Sequence, residues 1–357
     1  MTLLLSNEEV EVALQMPDCL AAMEIAYRDL GTMQGGNGVR SEILTPTVRD
    51  DALHSLLTMS GVVPRFGVGA VRINSDILTW PMSAAGRRRV KVPAASNERY
   101  VGLVLLFDTH TGAPLAIYPD GVVQRMRAGA TGGLAAHFLA RPDASDVALL
   151  GTGWQAGAQA MGICAVRTVR RIRCYSPRRE RREAFAREMQ TKLGVAIDAV
   201  ATARDAVERA DIVMCATNSL EPVLMKDWLE PGMHVSSLSR LELDATVVDA
   251  ADVIVIHSRE VGGKIVRTAG ADLARDAEER KATLADKTDL KNRPELSDLL
   301  LGRTPGRGAD RDITLFLNYA GLGYQFAATG YVIYRKAREL GLGRELDTDL
   351  FTSALPS

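Results

Sequence analysis

The sequence predicts an α/β protein in which a doubly wound parallel sheet follows a β-rich first region. Three observations predict it. From residue 146 onward, short apolar runs alternate with helical stretches of about 10 to 15 residues, the mark of a parallel sheet with crossover helices. Before that, β-like runs succeed one another with turn residues between them. The chain also carries 31 glycines and only 5% aromatic residues, which suits tight α/β turns better than a β-sandwich.

The 357 residues amount to about two domains and can bury a large core. With 43 basic and 44 acidic residues the formal charge is -1, so no global field attracts nucleic acid or an anionic membrane. Cys19, Cys164, Cys174 and Cys215 form no CxxC pair, and the five histidines show no metal-ligand spacing; reduced thiols and no metal are expected. No apolar run reaches the ~20 residues that span a bilayer, and MTLLLSNEEVEVAL lacks a basic signal-peptide start. A soluble, cytoplasmic protein is the expectation.

In chain order, Val10, Leu14, Leu20, Met23, Tyr27 and Leu30 recur at helical spacings and predict a helical pair broken at Pro17. From residue 61, GVGAVRINSDI, YVGLVLLFD and PLAIYPDG read as antiparallel strands, with DTHTG as a hairpin turn and GRRRVKVPAASNERY as a basic loop. A helix of small residues is expected over about 126–140, followed by the parallel domain, placed at 126–317. The tail NYAGLGYQFAATGYVIYRKARELGLG reads as a glycine-rich entry into an amphipathic helix that returns to the first region, so that 1–125 and 318–357 form one unit.

The strongest local signal is Gly151-Thr152-Gly153-Trp154-Gln155-Ala156, between the apolar strand Val147–Leu150 and a helix. Gly151 permits the turn, Gly153 lets backbone N–H groups approach a pyrophosphate, and Ala156 lets helix and strand pack closely. The helix N-terminus then favours the anion. A chain selecting the 2′-hydroxyl cofactor would carry an acid at the end of the next strand. Here that strand ends Tyr175-Ser176-Pro177-Arg178-Arg179, and a hydroxyl followed by guanidinium groups suits a 2′-phosphate. NADP(H) is therefore favoured over NAD(H).

On the substrate side, Asp120-Gly-Val-Val-Gln-Arg125-Met-Arg127 places two arginines in what reads as the first turn of a helix, the wrong end for positive charge. A ligand carboxylate would resolve this, which makes Arg127 a candidate carboxylate clamp at the seam between the two regions.

The blocks GLVLLFDTHTGAPLAIYPDG, MRAGATGGLAAHFLARPDAS, VALLGTGWQAGAQ, DIVMCATNSLEPVL, WLEPGMHV and TLFLNYAGLGYQFAA, in this order over nearly the whole chain, resemble the ornithine cyclodeaminase / mu-crystallin family. The resemblance implies a Rossmann-type NAD(P) domain inserted in an α+β substrate and dimerisation domain, a homodimer, and hydride transfer that interconverts amino acids and imines. By position it makes Arg127 a carboxylate-binding residue, adds Arg40 as a second, and places Thr217 and Asn218 near the nicotinamide.

Two positions depart from the family pattern. The lysine expected on the strand is Arg72, in GAVRINSD, and a guanidinium does not cycle as an acid or base. The acid-bearing loop expected after a later strand is replaced by Met233-His-Val-Ser-Ser-Leu-Ser-Arg-Leu-Glu242, without the family's aspartate. The expected site is thus Arg40, Arg72 and Arg127 around a carboxylate, with Lys91 as a candidate proton carrier and Glu242 and His234 as weaker ones. The expected activity is NAD(P)H-dependent interconversion of an imino acid or cyclic ketimine carboxylate and an amino acid. Ammonia-releasing cyclisation of ornithine or lysine and a non-catalytic NADPH-binding protein are the alternatives. A nucleic-acid role for Arg87–Arg89 or Arg178–Arg182 is disfavoured because the basic runs lack interleaved aromatics.

Overall fold

The computed structural model describes residues 1–83, 86–87, 89–259, 263–271, 292–319 and 321–354; Arg88 of the basic run lies outside them. The first unit opens with β1 (Thr2–Leu4), α1 (Asn7–Ala13), α2 (Met16–Gly31), β2 (Gly36–Asn37), β3 (Ser41–Pro46), β4 (Ala52–Val63) and β5 (Val68–Thr79). A short ribbon of β6 (Met82–Ser83) and β7 (Gly86–Arg87) follows, then β8 (Val90–Val92), β9 (Val101–Asp108) and β10 (Pro114–Pro119). These strands build a ten-stranded mixed sheet along the path β17-β3-β4-β5-β9-β10-β1-β19, with β2 on β4 and β8 on β5; β17 is Lys264–Arg267 and β19 is Arg344–Leu346.

After α3 (Gly121–Leu139) comes the second sheet. Its strands are β11 (Asp146–Leu150), β12 (Arg171–Tyr175), β13 (Ala196–Ala199), β14 (Ile212–Cys215), β15 (His234–Ser237), β16 (Val253–Ile256) and β18 (Thr314–Leu317). All pairs are parallel, in the order β13-β12-β11-β14-β15-β18-β16. Helices α4 (Trp154–Val166), α5 (Arg179–Leu193), α6 (Ala203–Val207) and α7 (Ala245–Asp249) connect them, and α8 (Leu296–Leu300) and α9 (Gly323–Leu340) follow. The central strands β11, β14, β15 and β18 are buried on both faces, while β12 and β13, toward one edge, bury alternate residues.

Between the sheets, α3 packs along α4 and against α2, and α9 returns across β4 and β5. The small residues of α3 and α4 allow backbone to meet backbone: a Cβ on Gly129 would lie 2.2 Å from the Ala158 carbonyl oxygen, and one on Gly162 would lie 2.1 Å from that of Gly129. One apolar core, from Leu3 and Val10 through Tyr27, Val104 and Leu134 to Phe326, joins both units. Among the described residues no helix is long and apolar enough to cross a membrane.

Several local expectations are corrected. The helical break falls at Leu14–Gln15, and Pro17 is the second residue of α2, where its missing N–H costs nothing. β3 and β4 extend the first sheet ahead of residue 61; inward-facing Glu42 and Ser55 interrupt their apolar alternation. The basic loop contains β8. β17, inside the stretch assigned to the nucleotide domain, pairs in parallel with β3 of the other sheet. Helix α3 begins at Gly121, five residues before the expected start, so Arg125 and Arg127 lie in its second turn, beyond reach of its free N–H groups.

Candidate active site

The glycine loop sits at the carboxyl end of β11, between β12 and β14, where the chain's successive connections leave to opposite sides of the sheet. Gly151 has φ 116°, and a Cβ there would lie 2.3 Å from the Ala216 carbonyl oxygen, so only glycine fits. Gly153 is the N-cap of α4, with no side chain capping the first turn; a Cβ on it would meet nothing within 4 Å. That opening, faced by uncapped N–H groups, has the shape and polarity a pyrophosphate needs. Ala156 is fully buried, and Gln155 Oε1 is buried without a partner among the described residues. The residues present therefore fit a nicotinamide dinucleotide.

Thr152 Oγ1 donates to Ser176 Oγ at 2.7 Å and ties the loop to the end of β12. Beyond it, Arg179 pairs with Glu183 one turn on at 2.7 Å, and Arg182 Nη1 donates to the Ser176 carbonyl at 3.0 Å. Arg178, the exposed N-cap residue of α5, makes no ion pair among the described residues. Trp154 stands half out of α4 with the Arg125 guanidinium 4.4 Å from its ring centroid, and Arg125 is also paired with Glu11 of α1. Thr217 and Asn218 form the loop after β14. The Thr217 N–H donates to Glu242, which also accepts from Ser237 Oγ at 2.8 Å and the Ser239 N–H at 3.0 Å. Burial pushes the Glu242 carboxyl up while these donors oppose it; the residue fastens the loops after β14 and β15 together. His234 lies at the other end of β15, where Nδ1 meets Thr314 Oγ1 at 2.9 Å and burial, with Arg307 and Arg167 nearby, pulls its pKa down to about 3. It is a neutral core group.

Across the interface stand the arginines. The Arg72 and Arg127 guanidinium carbons lie 4.9 and 5.7 Å from the centroid of one ring, that of Phe326 at the start of α9. Both arginines are buried. Arg72 Nε donates to Asp120 Oδ2 at 2.7 Å, its Nη2 lies 2.7 Å from the same oxygen, and Asn74 Nδ2 reaches that oxygen at 2.9 Å. Arg127 is held differently. Its Nη1 donates to Gln325 Oε1 at 3.1 Å, while its Nε is buried without a partner among the described residues. The Nε–Nη2 edge, the one that grips a carboxylate with two parallel bonds, is therefore open. Burial first, then the charge of Arg72, lowers its pKa to about 10, so it stays a cation at neutral pH, and no carboxylate pairs with it among the described residues.

Gln325 is fully buried and uses both ends of its amide. Oε1 also accepts the Leu322 N–H at 3.0 Å, and Nε2 donates to Tyr27 Oη at 2.9 Å and Thr131 Oγ1 at 3.3 Å. Thr131 Oγ1 in turn donates to the Arg127 carbonyl at 2.8 Å. Arg40 and Glu42 are 3.6 Å apart, with Ser55 Oγ donating to Glu42 at 2.8 Å. Lys91, opposite Leu78 on β8, places its Nζ 2.7 Å from Asp76. Asp76 is four residues beyond Arg72 on β5, roughly 13 Å along the strand, so this ion pair draws Lys91 toward the outer part of the sheet face.

Asp120, Asn74, Gln325 and Tyr27 were not singled out by sequence reasoning. Asp120 lies ahead of the helix expected over about 126–140, and Gln325 is one polar residue in the tail helix; their roles depend on partners 48 and 198 residues away in the chain. The polar alternation Arg72-Asn74-Asp76 within an otherwise apolar strand is the one signal that could have marked them.

Comparison with known proteins finds relatives over most of the chain. Δ1-Pyrroline-2-carboxylate reductase of Bacillus cereus is 31% identical over 251 residues, 69% of this chain and 74% of that protein. Alanine dehydrogenase of Archaeoglobus fulgidus is 26% identical over 354 residues, 97% of this chain and 98% of that one. Among solved structures, Δ1-pyrroline-2-carboxylate reductase of Thermococcus litoralis in complex with NADH and L-proline superposes with a TM-score of 0.77 at 27% identity, covering 97% of this chain and all of that one. The model of the ornithine cyclodeaminase/mu-crystallin family matches residues 88–341, which take in the Asp120 end of the arginine site, Arg127, the whole parallel sheet and all of α9, and the chain belongs to that family.

Proposed function

We propose that the protein is an NAD(P)H-dependent oxidoreductase that interconverts an imino acid or cyclic ketimine carboxylate and the corresponding amino acid. The observation that carries this reading is the open, buried Nε–Nη2 edge of Arg127 across the interface from a glycine cradle. The substrate carboxylate takes that edge. Arg72, with Nε and Nη2 on Asp120 and Nη1 against Met59 Sδ at 4.0 Å, has no free two-point edge, so it fixes a face rather than supplying a second clamp.

The cofactor supplies a hydride when bound. As the new C–H bond forms at the imine carbon, the π pair of C=N moves to nitrogen, which keeps the proton it carried as an iminium. No side chain has to give up a proton in that step, which suits a site where a permanent cation stands in the place of a lysine. Oxidation of the amino acid is the reverse.

Ser176 and Arg178 support NADP(H) as the favoured cofactor, with Arg178 available for the 2′-phosphate. The outer face of the first sheet supports a homodimer: Ile43, Leu56 and Val101 lie in one row across β3, β4, β5 and β9, and are 40%, 38% and 45% exposed. A cytoplasmic location accords with the free cysteines.

The test is NADPH consumption, followed by its absorbance, with Δ1-pyrroline-2-carboxylate, Δ1-piperideine-2-carboxylate, and pyruvate plus methylamine. Oxidation of NADPH with at least one is expected. Ammonia released from ornithine or lysine without net NADPH change would point to a cyclodeaminase, and tight NADPH binding without any turnover to a binding protein.

A further inference from the structure

Among the described residues, the charges of the inner face of the first sheet that lie around the arginine site stand in ion pairs, and Arg127 does not. Glu42, Ser55, Arg72, Asn74, Asp76 and Lys91 face the same way by strand register, and Asp120 joins them from the start of α3. Arg40 lies against Glu42, Arg72 against Asp120, and Lys91 against Asp76, at 3.6, 2.7 and 2.7 Å. Arg267, farther out on the edge strand β17, also has an interaction partner. Arg127 has a neutral amide where Arg40, Arg72 and Lys91 have a carboxylate. Among these described residues, four cations and three carboxylates leave one positive charge, on a guanidinium with one open edge.

We infer that the pocket selects imines and amines bearing one carboxylate and rejects dicarboxylates. This rests on the reading of Arg127 as the anchor of an imino-acid site, and adds the substrate's charge to it. A first carboxylate neutralises Arg127. A second one enters a site where Arg72, Arg40 and Lys91 already hold carboxylates, and it meets buried Asp120 first, then Glu42 and, farther out, Asp76, as like charges. To bind, it must displace one of these acids from its partner and leave that acid buried and unpaired. A neutral or hydrogen-bonding side chain of the same size meets no such obstacle.

The experiment uses pairs of amino acids that match in shape and differ in charge. Protein saturated with NADP+ is titrated calorimetrically at neutral pH with L-proline, L-asparagine, L-aspartate, L-glutamine and L-glutamate. The amide of each pair is expected to bind at least tenfold more tightly than its acid. Asp76→Asn, which removes the carboxylate beside Lys91, and Glu42→Gln, which removes the one beside Arg40, are each expected to narrow that ratio severalfold, with folding of both variants checked by circular dichroism. Equal or tighter binding of aspartate or glutamate by the unmodified protein overturns the inference, as does an unchanged ratio in both folded variants. Failure of all five ligands to bind, with NADP+ bound, is a different pattern: it removes the Arg127 anchor itself and the charge selection with it.

Discussion

Asp120 stands at the N-cap of α3, yet its carboxylate caps no helix N–H; Oδ2 is turned back to Arg72 on β5 and accepts its Nε at 2.7 Å. Aspartate is among the best N-cap residues, and a cap is worth roughly 1 kcal/mol. Here that stabilisation is forgone for a buried ion pair that links the sheet to the helix carrying Arg127. The pair is close in space and 48 residues apart in sequence. It also divides the labour between the arginines: one has its two-point edge filled by protein, the other has it open.

The open edge makes a direct prediction. Arg127→Ala should raise KM for the imine or amino acid by about two orders of magnitude, corresponding to about 3 kcal/mol for a buried charge-assisted contact. The dissociation constant for NADPH should change by less than about threefold, because Arg127 lies across the interface from the glycine loop. Arg127→Lys should recover only part of the loss, since an ammonium cannot reproduce the fork. Parallel loss of substrate use and NADPH affinity would count against the clamp.

The Asp120–Arg72 pair predicts a thermodynamic cycle. Asp120→Ala leaves a buried guanidinium without its carboxylate and should destabilise the protein by about 3 to 5 kcal/mol. Replacing Arg72 by Met in the same chain removes the orphaned charge, so the double variant should be more stable than Asp120→Ala alone. Denaturant midpoints for the two single variants and the double variant measure the coupling. Additive losses would mean the two side chains do not interact as described.

The sequence made the nucleotide half legible because its signals are local. The turn, the close approach and the small residue of Gly151, Gly153 and Ala156 all lie within six positions after one strand. Arg127 was legible as well, as a cation in a helix of small residues, although the helix starts earlier than its composition suggested. The rest of the arginine site was not, because sheet register creates it. Arg72 meets Asp120 only after β5 pairs with β9 and β9 with β10, and Lys91 meets Asp76 only after β8 adds to β5. Glu42 and Ser55 hid β3 and β4 for the same reason: a bond between two inward polar residues on neighbouring strands erases the alternation that marks a strand.

His234 predicts part of the acid limb of the stability curve. Its folded pKa, about 3, lies below the ordinary value of 6.5, so the unfolded chain binds the extra proton first. Its contribution is complete above about pH 6.5 and is lost as the pH falls from there toward 3, with a slope of up to about 1.4 kcal/mol per pH unit. A His234→Gln variant should lose stability less steeply than the parent between those limits. Urea midpoints measured from pH 7 to pH 4 would show it, and identical slopes would exclude His234 as a source.

The two glycines of the cofactor loop should separate cleanly. Alanine at Gly151 adds a Cβ 2.3 Å from a backbone oxygen, at a φ of 116° that side chains rarely adopt, so Gly151→Ala should disturb the loop even in the free protein and lower the melting temperature by several degrees. Alanine at Gly153 meets nothing within 4 Å, and Gly153→Ala should melt within about a degree or two of the parent. The space its methyl fills is where a pyrophosphate must approach the N–H groups of α4, so the same variant should bind NADPH at least tenfold more weakly. Melting curves with and without NADPH read both effects. In the free form Gly151→Ala alone should shift, and with NADPH present the ligand-induced rise should be lost in both. An undiminished rise for Gly153→Ala would place the phosphates away from the amino end of α4.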